Sequence, residues 1–97
     1  MTDNTDKQRY EIFVDEELAG FTQYHRVSGG VAFDHTEIDD RFEGQGLASK
    51  LIRSALDDVR ARGLTATPFC RFVRGYIARH PEYADLVPAR QRAGFGL

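Results

Sequence analysis

A chain of 97 residues with a formal charge of −2 holds one hydrophobic core and leaves no room for a second domain. Its 41% hydrophobic and 29% charged residues are those of an ordinary globular protein, and its single cysteine permits neither an internal disulfide nor a cysteine pair for zinc. The pI of about 5.9 argues against a nucleic-acid partner, no apolar run reaches a membrane span, and the polar start Met1-Thr2-Asp3-Asn4-Thr5-Asp6 is unlike a signal peptide, so a cytoplasmic location without membrane contact is expected.

In chain order, residues Arg9 to Val14 alternate as a strand, and Asp15-Glu16-Glu17 turn the chain into a second strand from Leu18 to Val27. Ser28-Gly29-Gly30 turns it back into a third, Val31 to Ile38, which completes an antiparallel meander. Strict alternation in that third strand puts His35 and Glu37 on one face and Asp34 and Thr36 on the other. From Gln45 to Arg62 the residues Leu47, Leu51, Ile52, Ala55, Leu56 and Val59 recur at helical spacing, and Gly63 is placed to end that helix. Leu64 to Thr67 reads as a short fourth strand closed by Pro68. A second helix carries Phe72, Val73, Tyr76, Ile77 and His80 on one face and stops at Pro81. Residues 88–97 show no period and are expected to form a mobile tail, which leaves an ordered core of about residues 9–87 within a single domain spanning 1–97. The order strand, strand, strand, helix, strand, helix is a mixed α/β sheet, with the third and fourth strands parallel if they are neighbours.

The segment Glu43-Gly44-Gln45-Gly46-Leu47-Ala48-Ser49-Lys50-Leu51 is the most informative: glycines run directly into an amphipathic helix. A glycine turn lets the backbone approach a ligand closely, and the free N–H groups of a helix's first turn converge with the positive end of its dipole, so the expected ligand is an anion. The charge distribution agrees. Residues 1–40 hold ten acidic and three basic side chains, while residues 41–97 hold five acidic and ten basic, with Lys50, Arg53, Arg71, Arg74 and Arg79 available to phosphates or to solvent.

Combined with His35-Thr36-Glu37 upstream and with Cys70 and His80-Pro81-Glu82-Tyr83 downstream, this loop makes residues Tyr10 to Val87 resemble the GNAT superfamily, specifically its minimal stand-alone N-acetyltransferase domain (YjdJ-like) proteins. In the superfamily's Gln/Arg-x-x-Gly-x-Gly/Ala loop, Gly46 and Ala48 take the small-residue positions and Leu51 the following helix position. Glu43 stands where Gln or Arg is usual, so either its side chain turns away or a neighbour such as Arg41 offsets it. The resemblance implies a GNAT fold whose third and fourth strands splay apart around the pantetheine arm. It implies acetyl-CoA as co-substrate, held by Gly44, Gln45, Gly46, Leu47, Ala48 and Ser49 with Thr36 and Ile38 along the strand, and an amine acceptor that the residues do not identify. The chain is too short for the helices that usually wall the acceptor site, so that groove is expected to be open.

Acyl transfer needs a base for the amine, a site for the developing oxyanion and a proton for the leaving thiolate. Glu37 and His35 are the candidate bases, and burial on a strand beside an apolar cofactor would raise the carboxylate's pKa and lower the imidazole's; His35 reads equally well as a hydrogen-bonded strand residue. Tyr76 matches the superfamily's helix tyrosine that protonates the thiolate, although aromatics at this spacing also build cores. Cys70, at the start of the second helix with Arg71 and Arg74 nearby, is either a covalent nucleophile or a soft residue lining the thioester pocket. His80-Pro81-Glu82-Tyr83 reads as a structural cap. A non-catalytic acyl-CoA-binding module would keep the loop without needing His35, Glu37 and Cys70, and the presence of all three favours an enzyme. Metal ligands are not expected, and nothing in the sequence fixes the oligomeric state.

Overall fold

Five strands lie side by side in sequence order in the computed structural model, which describes Met1–Leu97. They are β1 (Thr2–Asn4), β2 (Arg9–Val14), β3 (Glu17–Val27), β4 (Gly30–Ile38) and β5 (Thr65–Pro68), with α1 (Leu47–Ala61) crossing between β4 and β5 and α2 (Arg71–Arg79) following. The β1–β2, β2–β3 and β3–β4 pairs are antiparallel, and β4–β5 is parallel, as a helical crossover requires. The apolar stripe of α1, Leu51, Ile52, Ala55, Leu56 and Val59, packs on Tyr10, Tyr24, Val31 and Phe33 of the sheet, and Val73, Tyr76 and Ile77 of α2 join the same cluster. Each large aliphatic side chain fully withdrawn from water there contributes about 1.5–3 kcal/mol, so this shared core is what fixes both helix starts against the sheet.

Two core tyrosines keep their hydroxyls paired. Tyr10 donates to Asp58 at 2.7 Å and Tyr24 donates to Asp3 at 2.6 Å. The second contact belongs to β1, an element that the polar residues Thr2, Asp3 and Asn4 did not announce. Their strand is secured by side chains: Asn4 donates to Glu11 at 3.3 Å and Arg62 pairs with Asp3 at 3.2 Å, so the order comes from hydrogen bonds to distant residues rather than from an apolar pattern. At the other end, residues 88–97 form a short α3 (Ala89–Arg92) and a 3-10 turn. Thr67 donates to Gln91 at 3.0 Å, Arg92 donates to the carbonyl oxygens of Ala84 and Val87, and the Phe95 ring meets Phe69 edge-on.

Strand β4 departs from strict alternation. Tyr24 pairs with Phe33 and Gln23 with His35, which leaves Asp34 without a partner on β3, a β-bulge. The Asp34 carboxylate therefore accepts from His25 Nδ1–H at 2.7 Å, while Thr36 meets buried Thr22 at 2.9 Å on the core side. The sequence expectation that Asp34 and Thr36 share a face is overturned by this extra residue, which resets the side-chain phase in mid-strand.

Candidate functional site

The turn before α1 is built as the sequence predicts. Gly44 and Gly46 have φ of 82° and 72°, in the left-handed region, and a Cβ at either position would meet nothing within 4 Å. Backbone angle, not crowding, requires glycine there. Gly46 caps α1 without any side-chain hydrogen bond, and no acidic residue lies in the first turn, so its leading N–H groups face outward uncompensated. A groove of about 350 Å3 runs from Gly44, Gly46, Leu47 and Ser49 to Ile38 of β4 and Phe72 of α2. Ala48 also lines it; Gln45 is exposed and does not. Glu43 sits on its rim, and Arg41 does not offset it: that guanidinium pairs with Glu17 at 3.0 Å and Asp39 at 3.2 Å.

At the far end of this groove the sheet parts. Strand β5 pairs with β4 only from Gly30 to Phe33, because Pro68 has no N–H to continue the ladder and the chain turns into α2. The last link is the Cys70 amide, which donates to the Phe33 carbonyl at 2.8 Å. Beyond it, residues 34–38 of β4 have no strand on that side, which leaves an edge to which an extended chain can pair. Thr36 points into the fork, with its hydroxyl 3.3 Å from the Cys70 sulfur and hydrogen-bonded to Thr22 behind. Cys70 is buried at the start of α2, while Arg74, expected beside it, donates to the Phe69 carbonyl and lies over the Phe95 ring. Arg71 is solvent-exposed.

His35 and Glu37 project from the opposite face of β4 and approach each other to 3.6 Å, with side-chain exposures of 58% and 60%. They do share a face, as expected, but the burial thought to perturb them is missing: no helix covers this side of β4. His35 also stands edge-on to Phe21. This side of β4 is open, and next to Glu37 it deepens into a groove of about 420 Å3 along the start of β3 and the end of β4.

Tyr76 lies away from the fork. Its ring is buried in the core, stacked on His80 with centroids 4.2 Å apart, and its hydroxyl sits beside Arg53. Arg53 in turn has a pKa raised above the ordinary guanidinium value, first by the neighbouring Tyr76 hydroxyl. A small groove of about 210 Å3 joins Tyr76 and His80 to Ser49, Lys50 and Arg53, and His80 is also the C-cap of α2. The geometry thus gathers Gly44, Gly46, Leu47, Ala48 and Ser49 with Ile38 in one groove, brings Thr36 and Cys70 together where β4 and β5 part, sets His35 and Glu37 on the other face of β4, and puts Tyr76 on the α1–α2 seam. Phe72 and Gly20 were missed by sequence reasoning. Phe72 had looked like ordinary helix periodicity, and Gly20 carries no local signal, though a Cβ there would overlap Ile38 Cδ1 and the Glu37 carbonyl.

Known proteins resemble this chain in sequence and fold. A family model described as GCN5-related N-acetyl-transferase matches residues 9–86. Over 51 residues the chain is 35% identical to Protein NATD1 of Homo sapiens, an alignment covering 53% of this chain and 45% of that one, and equally identical over 51 residues to Protein NATD1 of Xenopus tropicalis. The matched region is therefore about half the length of these curated relatives. The solution structure of a GCN5-like protein from Staphylococcus aureus superimposes with a TM-score of 0.66 at 24% identity, covering 84% of this chain and 81% of that one, a likeness of fold. No helix of the structure is long and apolar enough to cross a membrane. With a family match running from the second strand to the turn after α2, the chain belongs to the GCN5-related N-acetyltransferase family.

Proposed function

We propose that the protein transfers an acetyl group from acetyl-CoA to an amine. The observation that carries this reading is the groove at the uncapped start of α1, whose walls include Ile38 and Phe72, each two residues along the chain from the Thr36–Cys70 contact where β4 and β5 have parted. The pyrophosphate of acetyl-CoA fits the amides of Gly46 to Ser49, with Lys50 and Arg53 on the flank for further phosphate. Its pantetheine amides fit the open edge of β4. The thioester then lies near Thr36, where an amine arriving from the open face attacks the carbonyl carbon, the C–S bond breaks with its electron pair on sulfur, and the CoA thiolate takes up, through water, the proton that the amine gave up.

Glu37, assisted by His35 at 3.6 Å, is the group placed to take the amine's proton directly or through water. Cys70 acts here as a pocket residue, since Arg74 is engaged by the Phe69 carbonyl and the Phe95 ring, Arg71 is solvent-exposed, and direct transfer needs no relay. Tyr76, the helix tyrosine expected to protonate the leaving thiolate, lines the groove with Ser49, Lys50 and Arg53 and stays the candidate acid only if the thioester sulfur reaches that side. One observation favours a second reading, a non-catalytic acyl-CoA-binding module: the exposure of His35 and Glu37, which leaves them hydrated. Calorimetric titration with acetyl-CoA, followed by mass spectrometry of its products with a panel of amines and peptides, separates the two. Binding with turnover supports the transferase; binding with no product from any amine supports the module.

A further inference from the structure

The phosphate-loop groove has Ile38 of β4 and Phe72 of α2 in its walls, but neither Thr36 nor Cys70. Those two residues touch across the fork, and neither is free to withdraw. The Thr36 hydroxyl lies 3.3 Å from the Cys70 sulfur and 2.9 Å from the hydroxyl of Thr22, which is fully buried. Its β-branched side chain has few staggered alternatives, and a turn away from the fork would break both contacts. The Cys70 amide donates to the Phe33 carbonyl at 2.8 Å and its carbonyl accepts from the Arg74 amide at 3.0 Å, while the side chain joins a core cluster with Phe33 and Val73, both without exposed surface. A row of three side chains, Thr22, Thr36 and Cys70, thus crosses from β3 to the start of α2 and closes the fork on the core side.

On the acetyltransferase reading above, we infer that this row sets the length of the acyl group, so that acetyl is accepted while propionyl and butyryl are progressively refused. An acetyl group ends one methyl beyond its carbonyl. Each further methylene has either to part Thr36 from Cys70 or to enter the core behind them, and a close-packed interior resists the extra volume. The other direction, outward over the open face of β4, places the chain where the amine approaches the carbonyl, so a longer acyl group directed there blocks the attack. Thr36 and Cys70 are the specificity-determining residues, and Thr22 is a positioning residue that acts through Thr36.

The test compares acetyl-, propionyl- and butyryl-CoA with one amine acceptor held constant. The expected order of kcat/KM follows that sequence, with about a ten-fold step for each added methylene. Cys70→Ala removes the sulfur and leaves the Thr22–Thr36 contact in place, and it should bring butyryl-CoA to within about ten-fold of acetyl-CoA. Thr36→Ser keeps the hydroxyl and its partners but removes a methyl group, and it should narrow the propionyl step. The readout is the ratio between acyl groups, which a general loss of activity or stability leaves unmoved. Equal kcat/KM for acetyl- and butyryl-CoA, or ratios unchanged in both variants, would overturn the inference and leave acetyl transfer standing. If no acyl group reaches any amine, the transferase reading fails instead, and calorimetry with the three acyl-CoAs judges the row: butyryl-CoA bound at least ten-fold more weakly than acetyl-CoA supports it, whereas equal affinities, or no binding of any of the three, refute it.

Discussion

Replacing Gly46 by valine separates what the loop does for the fold from what it does for the ligand. The residue has φ of 72°, and an added Cβ would touch no protein atom within 4 Å. Forcing a β-branched residue into the left-handed region costs about 1–3 kcal/mol of stability, a fraction of what a small domain possesses. Because the space ahead of Gly46 is open, the new methyl groups project where the pyrophosphate would sit, and the loss of close approach should weaken acetyl-CoA binding at least ten-fold, about 1.4 kcal/mol. Gly46→Asn is the control, since asparagine tolerates the same backbone region and adds a smaller, unbranched side chain. Urea melts would report the backbone strain and calorimetry the affinity. A folded Gly46→Val protein that bound acetyl-CoA as tightly as the unaltered chain would refute the phosphate-loop assignment, whatever its stability.

Three further outcomes follow from the site and the core. Glu37→Gln should lower turnover 10²–10⁴-fold with acetyl-CoA affinity nearly unchanged, roughly 3–5 kcal/mol of barrier, and a larger loss in the matched His35→Gln variant would move the base to the imidazole. Cys70→Ser should retain most activity, and intact-mass spectrometry after incubation with acetyl-CoA alone should show no added acetyl group; an adduct discharged by amine would establish a covalent relay. Burial and the hydrogen bond to Asp3 push the Tyr24 phenol up to about 12, and burial with the bond to Asp58 raises Tyr10 further. A raised folded pKa keeps its full stabilisation below the unfolded value near 10 and loses it as pH climbs towards the folded one, so urea midpoints should fall above about pH 10, at up to about 1.4 kcal/mol per pH unit per tyrosine. Tyr10→Phe should flatten that alkaline fall, and an equally steep fall would mean the hydroxyl is not what titrates.

What the sequence disclosed depended on how each element is held. Strands β2 to β5 and both main helices are stabilised by burying regularly spaced apolar residues, and periodicity reports that directly. Strand β1 is held by Asp3 to Tyr24 and Arg62, and the last ten residues by Gln91 to Thr67 and Phe95 to Phe69, contacts of long sequence separation that leave no local pattern, with Arg92 adding bonds to the nearer carbonyls of Ala84 and Val87. The loop was legible because Gly44 and Gly46 precede a strong amphipathic face. The bulge at Asp34 was not: it is set by pairing with β3, and it decides that Thr36 faces the fork while Glu37 faces the open side. The seam that joins Tyr76 to Arg53 was hidden for a similar reason, since it depends on how α1 and α2 cross.

Amide NMR of the labelled protein during titration with acetyl-CoA tests the central claim most directly, because the proposed path touches two separate stretches of chain. The largest shifts should fall together at residues 44–49 and 36–38, with Cys70 and Phe72 following. Saturation without change at both stretches, or shifts confined to the outer strands β1 and β2, would contradict the site.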